Sequence, residues 1–259
     1  MNKEKIGLGI ITCNRIDFFK KCVSNLPEVD ELVIVNDGEP YSEEIYPKLA
    51  YVIQHSQNMG IAKTKNDALS YLFDKNCTHI FLSEDDIIIK DQNVLNNYIS
   101  ASEASGIRHF NFGYVKENLK KNGSYWIKKI MDFKGSKIVF FRNISGSFSY
   151  FHRDTIKAVG YMDERYKNAL EHVDHTYQII KAGYHPSFRW FADIYSSHEY
   201  FINQDEFSKH SLIQKSIIWK IKVFRNSLIF LIKNRYFPGG VPEVDETTFL
   251  RSLKNIISL

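Results

Sequence analysis

His79–Asp91, HIFLSEDDIIIKD, is the stretch on which the reading of this chain turns. The apolar run Ile80, Phe81 and Leu82 stops at Ser83 and three consecutive acids, Glu84, Asp85 and Asp86, before the branched aliphatics Ile87 to Ile89 resume. A short apolar run with acids at its C-terminal edge predicts a buried strand that presents carboxylates where it leaves the sheet. In open α/β sheets, ligands bind outside the carboxyl ends of the strands. Packed carboxylates repel one another unless a cation or donor sits among them, so a hard divalent ion, Mn²⁺ or Mg²⁺, is their natural partner. Taken alone, the stretch also suits a solvated acidic turn.

The preceding residues carry the same pattern. Ile6–Thr12, IGLGIIT, predicts a first central strand with Cys13-Asn14-Arg15 at its C-terminal edge. Helical spacing follows from Asp17 to Leu26, with Asp17 as N-cap and Pro27 as the stop. Glu31–Val35 is a second buried strand ending in Asn36-Asp37-Gly38, and Tyr51–Gln54 is a third. Asn58-Met59-Gly60 then leads into a helix from Ile61 to Asp74, whose N-terminus favours phosphate. Strand, helix and strand with polar residues at each strand end begin a βαβ architecture, and three such ends converge on one rim.

Further on, Phe110–Tyr114, Lys137–Phe141 and Phe188–Tyr195 predict strands. Asn168–Tyr184 predicts an amphipathic helix closed by Gly183. On that helix Glu171, His172 and His175 have spacing that suits a metal site, although E-H-V-D-H is not the H-E-x-x-H of zinc proteases. A solvated face of alternating charge fits the same residues. After Glu206 no acid appears until Glu243, while Lys209 to Arg235 interleaves basic with large apolar residues. This pattern suits either peripheral contact with an anionic membrane surface or a helix packed on the domain or on a second copy of the chain. Pro238-Gly239-Gly240 breaks it before a short terminal helix.

Composition narrows the class. At 259 residues the chain suits one large α/β domain or two small ones, and 19 Phe with 15 Tyr suit a solid core and sites that stack on flat or sugar-like ligands. A formal charge of +4 is too mild to argue for nucleic acid. Cys13, Cys22 and Cys77 show no metal spacing and cannot all pair, which fits a reducing cytosol. The N-terminus is charged and enters a strand at once, unlike a signal peptide, and no apolar run is long enough to span a bilayer. A cytoplasmic location, at most peripheral at the inner face of a membrane, is expected.

Four segments, IITCNR (Ile10–Arg15), VIVNDG (Val33–Gly38), NMGIAKTKNDAL (Asn58–Leu69) and FLSEDD (Phe81–Asp86), together resemble the nucleotide-binding half of family 2 glycosyltransferases. The resemblance spans about Ile6 to His198 and implies the GT-A fold: α/β, with a Rossmann-like, mostly parallel mixed sheet flanked by helices. Residues 1–204 would form that domain (1–95 binding nucleotide, 96–204 the acceptor), and 205–259 a basic helical extension. The activity implied is metal-dependent, inverting transfer from a nucleotide-sugar, UDP-linked, to a glycan or lipid-linked glycan in bacterial surface polysaccharide synthesis.

Carried over residue by residue, the resemblance implies a donor site of Thr12, Asn14, Arg15, Asp37, Asn58, Gly60, Asn66, Glu84 and Asp85, with Asp37 on the base. Asp86, then Asp85, would hold the metal, and His198, after the last strand, would complete its shell. Within Asn143–Glu164, Gly146 and Ser147 stand where the family places a small-residue turn against the donor sugar or acceptor; a plain hairpin turn is the alternative. The base is expected within Glu171–Asp174: Glu171 and Asp174 match the family's acids, while His172 replaces its catalytic Asp. A nucleotidyltransferase would carry a Gly-rich loop after the first strand, which Thr12-Cys13-Asn14-Arg15 lacks. A nucleotide-sugar-binding scaffold would not need the retained acids.

Overall fold

The computed structural model describes residues 4–204 and 217–257. From β1 (Ile6–Thr12) the chain runs through α1 (Ile16–Val23), β2 (Glu31–Asn36), β3 (Tyr51–Gln54), α2 (Ile61–Asp74), β4 (His79–Glu84), β5 (Ile87–Ile89), α3 (Val94–Ser105) and β6 (His109–Phe112). It continues as β7 (Lys129–Phe133), β8 (Ser136–Phe141), β9 (Ser145–His152), α4 (Arg153–Val159), α5 (Glu171–Lys181), β10 (Phe191–Ile194), β11 (Phe201–Asn203), α6 (Ile217–Asn234) and α7 (Glu246–Ile257).

β1 is buried beyond its first residue, so it shows a continuous apolar run rather than alternation, as a strand covered on both faces must. The main sheet has the order β3-β2-β1-β4-β9-β6. Its first four strands are parallel, and β9 runs antiparallel to both β4 and β6. The parallel register pairs Thr12 with Asn36, Asn36 with Gln54 and Ile11 with Glu84, which brings the polar strand ends to one rim. Two smaller sheets, β10-β8-β7 and β11-β5, complete the strands.

Two apolar clusters flank the sheet. One gathers Leu8, Ile10, Phe81, Phe110 and Phe148, and the other Ile11, Val33, Leu69, Leu72, Ile80 and Leu82. Phe249, Leu253 and Ile256 of α7 belong to the first cluster, with Phe249 stacked on Trp190 at 4.1 Å. The core therefore draws on both sides of the expected boundary at 204/205.

Three local expectations change. Asp17 lies inside the first turn of α1, whose cap position is Arg15 with no side-chain cap. Gly146 and Ser147 are strand residues of β9, not a turn. Lys209 and Lys215, part of the expected basic helix, lie outside the described residues. Cys13, Cys22 and Cys77 are free thiols. Among the described residues, no helix is long and apolar enough to cross a membrane.

Candidate functional site

Where β1 and β4 end, Arg15 and the acidic cluster meet. Thr12 Oγ1 donates to Asp85 Oδ2 at 2.7 Å and lies 3.0 Å from Tyr41 Oη. Arg15 pairs with Asp85 and reaches Asp86 Oδ2 at 3.6 Å. Burial pushes the Asp85 carboxyl up to about 6, against the opposing pull of Arg15 and Thr12. Glu84 turns elsewhere, to Lys65 of α2.

Lys65 is the residue around which the second half of the site assembles. Its ammonium, fully buried, lies 2.8 Å from Glu84 Oε1, 2.9 Å from Glu171 Oε1 and 2.9 Å from the Gly146 carbonyl. Burial opposes the charge, but Glu171 and Glu84 outweigh it and hold the amine above its ordinary value. Burial also works against charge on Glu171, yet Lys65 and His172 hold its carboxyl far below the usual range. His172 Nδ1 lies 3.2 Å from Glu171 Oε1, and among the described residues nothing hydrogen-bonds its Nε2. Gly146 must be glycine for this approach: a Cβ there would stand 2.8 Å from His172 Nδ1 and 2.9 Å from Lys65 Nζ. Elements far apart in sequence, β4, α2, β9 and α5, thus contribute to one chain from Glu84 through Lys65 and Glu171 to His172.

Beside the acids, a cleft of about 460 Å³ opens between the ends of β1, β2 and β3. Asn14, Asp37, Gly38, Gln54, His55 and Asn58 line it. Asp37 Oδ1 accepts from the Met59 amide at 2.7 Å and pairs with His55 Nδ1 at 2.6 Å, while Oδ2 accepts from the Gly60 amide at 3.0 Å. The anion at the start of α2 is therefore Asp37's own carboxylate, where a phosphate was expected. Gly60, at φ +91° with no room for a Cβ against the Lys167 carbonyl, delivers that amide. His55 Nε2 also meets Asp67 at 2.9 Å.

Several expected residues lie elsewhere. Asn66 binds the Met162 main chain in both directions, at 2.8 Å each, and holds the segment after α4. Asp174 lies about 200° round the helix from His172. It is buried against α6, accepting from Lys233 Nζ at 2.6 Å and Asn234 Nδ2 at 2.8 Å. Ser147 is buried and bound to Ser145. His198 stacks on Tyr114 at 4.2 Å, near the Lys90 end of the β5–β11 ladder, whereas Asp86 pairs with Gln204 at the other end.

Among the described residues, three His, Cys, Asp or Glu ligand atoms come within 4.8 Å of one another at Glu4, His79 and Glu103, around the start of β4 rather than its acidic end. Asp85, Asp86 and His198 do not form such a group. The acids alone still fit a hard ion. Among the described residues, Glu84, Asp85, Asp86 and Glu171 face two full cations, Arg15 and Lys65. An all-oxygen set with surplus negative charge suits Mg²⁺ or Mn²⁺, and Asp86 is less closely held by Arg15 than Asp85.

Lys65, Tyr41 and His55 were not anticipated from the sequence. For Lys65 a signal existed: it shares the helical stripe of Ala68, Leu69 and Leu72, where a charge needs a buried partner.

No family model matches the sequence, and no curated protein matches it. Among solved structures, the mannosyltransferase PcManGT from Pyrobaculum calidifontis, in complex with GDP-Man and Mn²⁺, covers 97% of this chain and 68% of its own, with TM-score 0.59 and 10% identity. S. aureus TarS 1-349 matches 68% of this chain with TM-score 0.51 and 15% identity, and this chain spans only 55% of it. GalNAc-T7 with UDP, GalNAc and Mn²⁺ matches 70% of this chain with TM-score 0.52 and 10% identity, over 41% of its own length. The fold is that of the GT-A glycosyltransferases.

Proposed function

We propose that this chain is an inverting glycosyltransferase that moves a sugar from a nucleoside-diphosphate sugar to a hydroxyl of a glycan or lipid-linked glycan. The observation that carries the reading is the Glu84–Lys65–Glu171–His172 chain beside a cleft at the strand rim. The neighbours in fold bound to GDP-Man or to UDP and GalNAc, each with Mn²⁺, support a nucleotide-sugar donor and a divalent ion. Synthesis of bacterial surface polysaccharide is the role in keeping with this chemistry.

The base of the nucleotide belongs in the Asp37 cleft. Asp37 already accepts from the Met59 and Gly60 amides and contacts His55, which leaves about one of its four acceptor positions. One position matches the lone ring N–H of uracil better than the paired donors of guanine, which favours a UDP-sugar. Asp86 with Asp85 would hold Mn²⁺ or Mg²⁺, and such an ion would neutralise the departing diphosphate.

His172 is the base. Asp174 is turned away, and Glu171, paired with Lys65 and held at low pKa, is a weak proton acceptor. Glu171 instead orients the imidazole through Nδ1. The acceptor O–H gives its proton to His172 as its oxygen attacks the anomeric carbon. The bond from that carbon to the diphosphate breaks, and its electron pair leaves with the diphosphate. With one displacement and no enzyme nucleophile, the anomeric centre inverts.

Release of nucleoside diphosphate from a panel of sugar nucleotides tests the reading. His172→Ala should lower kcat by about 10²- to 10⁴-fold with UDP affinity unchanged. Asp37→Ala should weaken UDP by about 1.5–3 kcal/mol in calorimetry. Wild-type turnover in His172→Ala would remove the base assignment. Pyrophosphate release would mark a nucleotidyltransferase, and donor binding without turnover a scaffold.

A further inference from the structure

Helix α6 carries an apolar stripe that the protein does not use. At about 100° per residue, Ile221, Phe224, Leu228 and Ile232 fall within about 80° of one another. Asn226, Phe230 and Asn234 lie on nearly the opposite side, and they are the residues that hold the helix to the body. Asn226 Nδ2 donates to the Ala169 carbonyl at 2.8 Å, Phe230 stacks on Tyr177 at 5.8 Å, and Asn234 Nδ2 donates to Asp174 at 2.8 Å. The outer stripe is thereby turned away from the core, with Ile221, Phe224, Leu228 and Ile232 exposed by 62%, 60%, 37% and 78%.

Charge says what covers it. Arg225 borders the stripe, and Lys222 and Lys220 flank it on either side; all three are exposed. No Asp or Glu occurs from residue 207 to 242. An apolar stripe rimmed by cations, on a helix with no acid of its own, has the pattern of a helix that lies in the interface plane of an anionic bilayer. A second copy docked through the same face would bring two sets of these cations, Lys220, Lys222 and Arg225, to one interface, an accumulation of like charge that disfavours a dimer.

We propose that the outer face of α6 docks this protein on an anionic membrane surface, with Phe224 and Ile232 inserted among the acyl chains and Lys220, Lys222 and Arg225 on the headgroups. The inference rests on α6 alone and stands whether or not the donor site is assigned correctly.

Flotation of the full chain with vesicles of phosphatidylglycerol and phosphatidylcholine, and with phosphatidylcholine alone, is the experiment. Binding should require the anionic lipid and fall steeply at high salt, because headgroup attraction is screened. Phe224→Glu with Ile232→Glu should reduce the bound fraction at least tenfold while circular dichroism and nucleotide affinity stay unchanged. Lys220→Glu with Lys222→Glu should abolish the preference for anionic lipid. Absence of binding at low salt overturns the proposal. So does a dimer, seen by sedimentation without lipid, that Phe224→Glu with Ile232→Glu dissociates, since the stripe would then belong to a second copy.

Discussion

Lys65 keeps its charge inside the protein because two carboxylates, Glu84 and Glu171, stand within 2.9 Å of it. Glu171 is kept ionised by the same ammonium and Glu84 pairs with it, so the three residues form one unit whose parts cannot be removed singly without stranding a buried charge. Gly146 closes that unit by letting the main chain of β9 reach both Lys65 and His172. Gly146→Ala is therefore a test of placement rather than of chemistry. The added methyl meets a ring and the tip of a flexible side chain, both able to yield, so the protein should fold. The displaced base should cost about 10²-fold in kcat, as small misplacements of reacting groups do, with donor affinity unchanged. Stopped kinetics beside calorimetry would show this, and an unaltered kcat would separate Gly146 from the reaction.

At the scale of elements, α5 works with its two sides apart. One end presents Glu171 and His172 to the site, while Asp174 and Gln178 face α6. Asp174 accepts from Lys233 and Asn234 and so ties α6 to α5. Asp174→Ala should lower stability by about 3 kcal/mol, because Lys233 and Asn234 lose a buried partner. Nucleotide release, assayed well below the unfolding temperature, should persist. Urea unfolding measured with turnover distinguishes this from a catalytic role: turnover lost at full stability would return Asp174 to the reaction.

Across the described residues, buried histidines set how stability changes with pH between about 4 and 6.5. Burial holds His109 and His175 below their ordinary value, His152 at about 4 and His185 at about 3. In each case the unfolded chain binds the proton more tightly, so stability rises with pH from the folded pKa up to about 6.5. For fully buried His185 the contribution is on the order of 5 kcal/mol. Two carboxyls act in the opposite sense. Burial raises Asp85 and Asp193 to about 6, so the folded state holds their protons more tightly and stability falls as pH rises from about 4 to 6. Four imidazoles against two carboxyls leave a net gain, and the urea midpoint should climb between about pH 4 and 6.5. A midpoint that falls over that range would show the carboxyls prevailing.

The rim of polar strand ends was legible in the sequence because a parallel ladder carries residues at corresponding strand positions to one edge. Thr12, Asn36, Gln54 and Glu84 arrive together by register alone. Helix α2 was legible from Ile61 to Asp74 because its apolar period is local, and likeness of motif singled out Glu171 and His172, which the fold joins to Glu84 through Lys65. The division of labour among chemically similar residues was decided by tertiary structure. Lys65 acquires its partners from Gly146 and Glu171, 81 and 106 residues away, and Asp174 is claimed by a helix 59 residues on. Asn66 is taken by Met162, and His198 is carried to Tyr114 instead of the acids. Periodicity sets the face on which a side chain lies. What occupies the space opposite that face depends on contacts between distant segments, and those contacts determine whether a carboxylate binds metal, holds a lysine or anchors a helix.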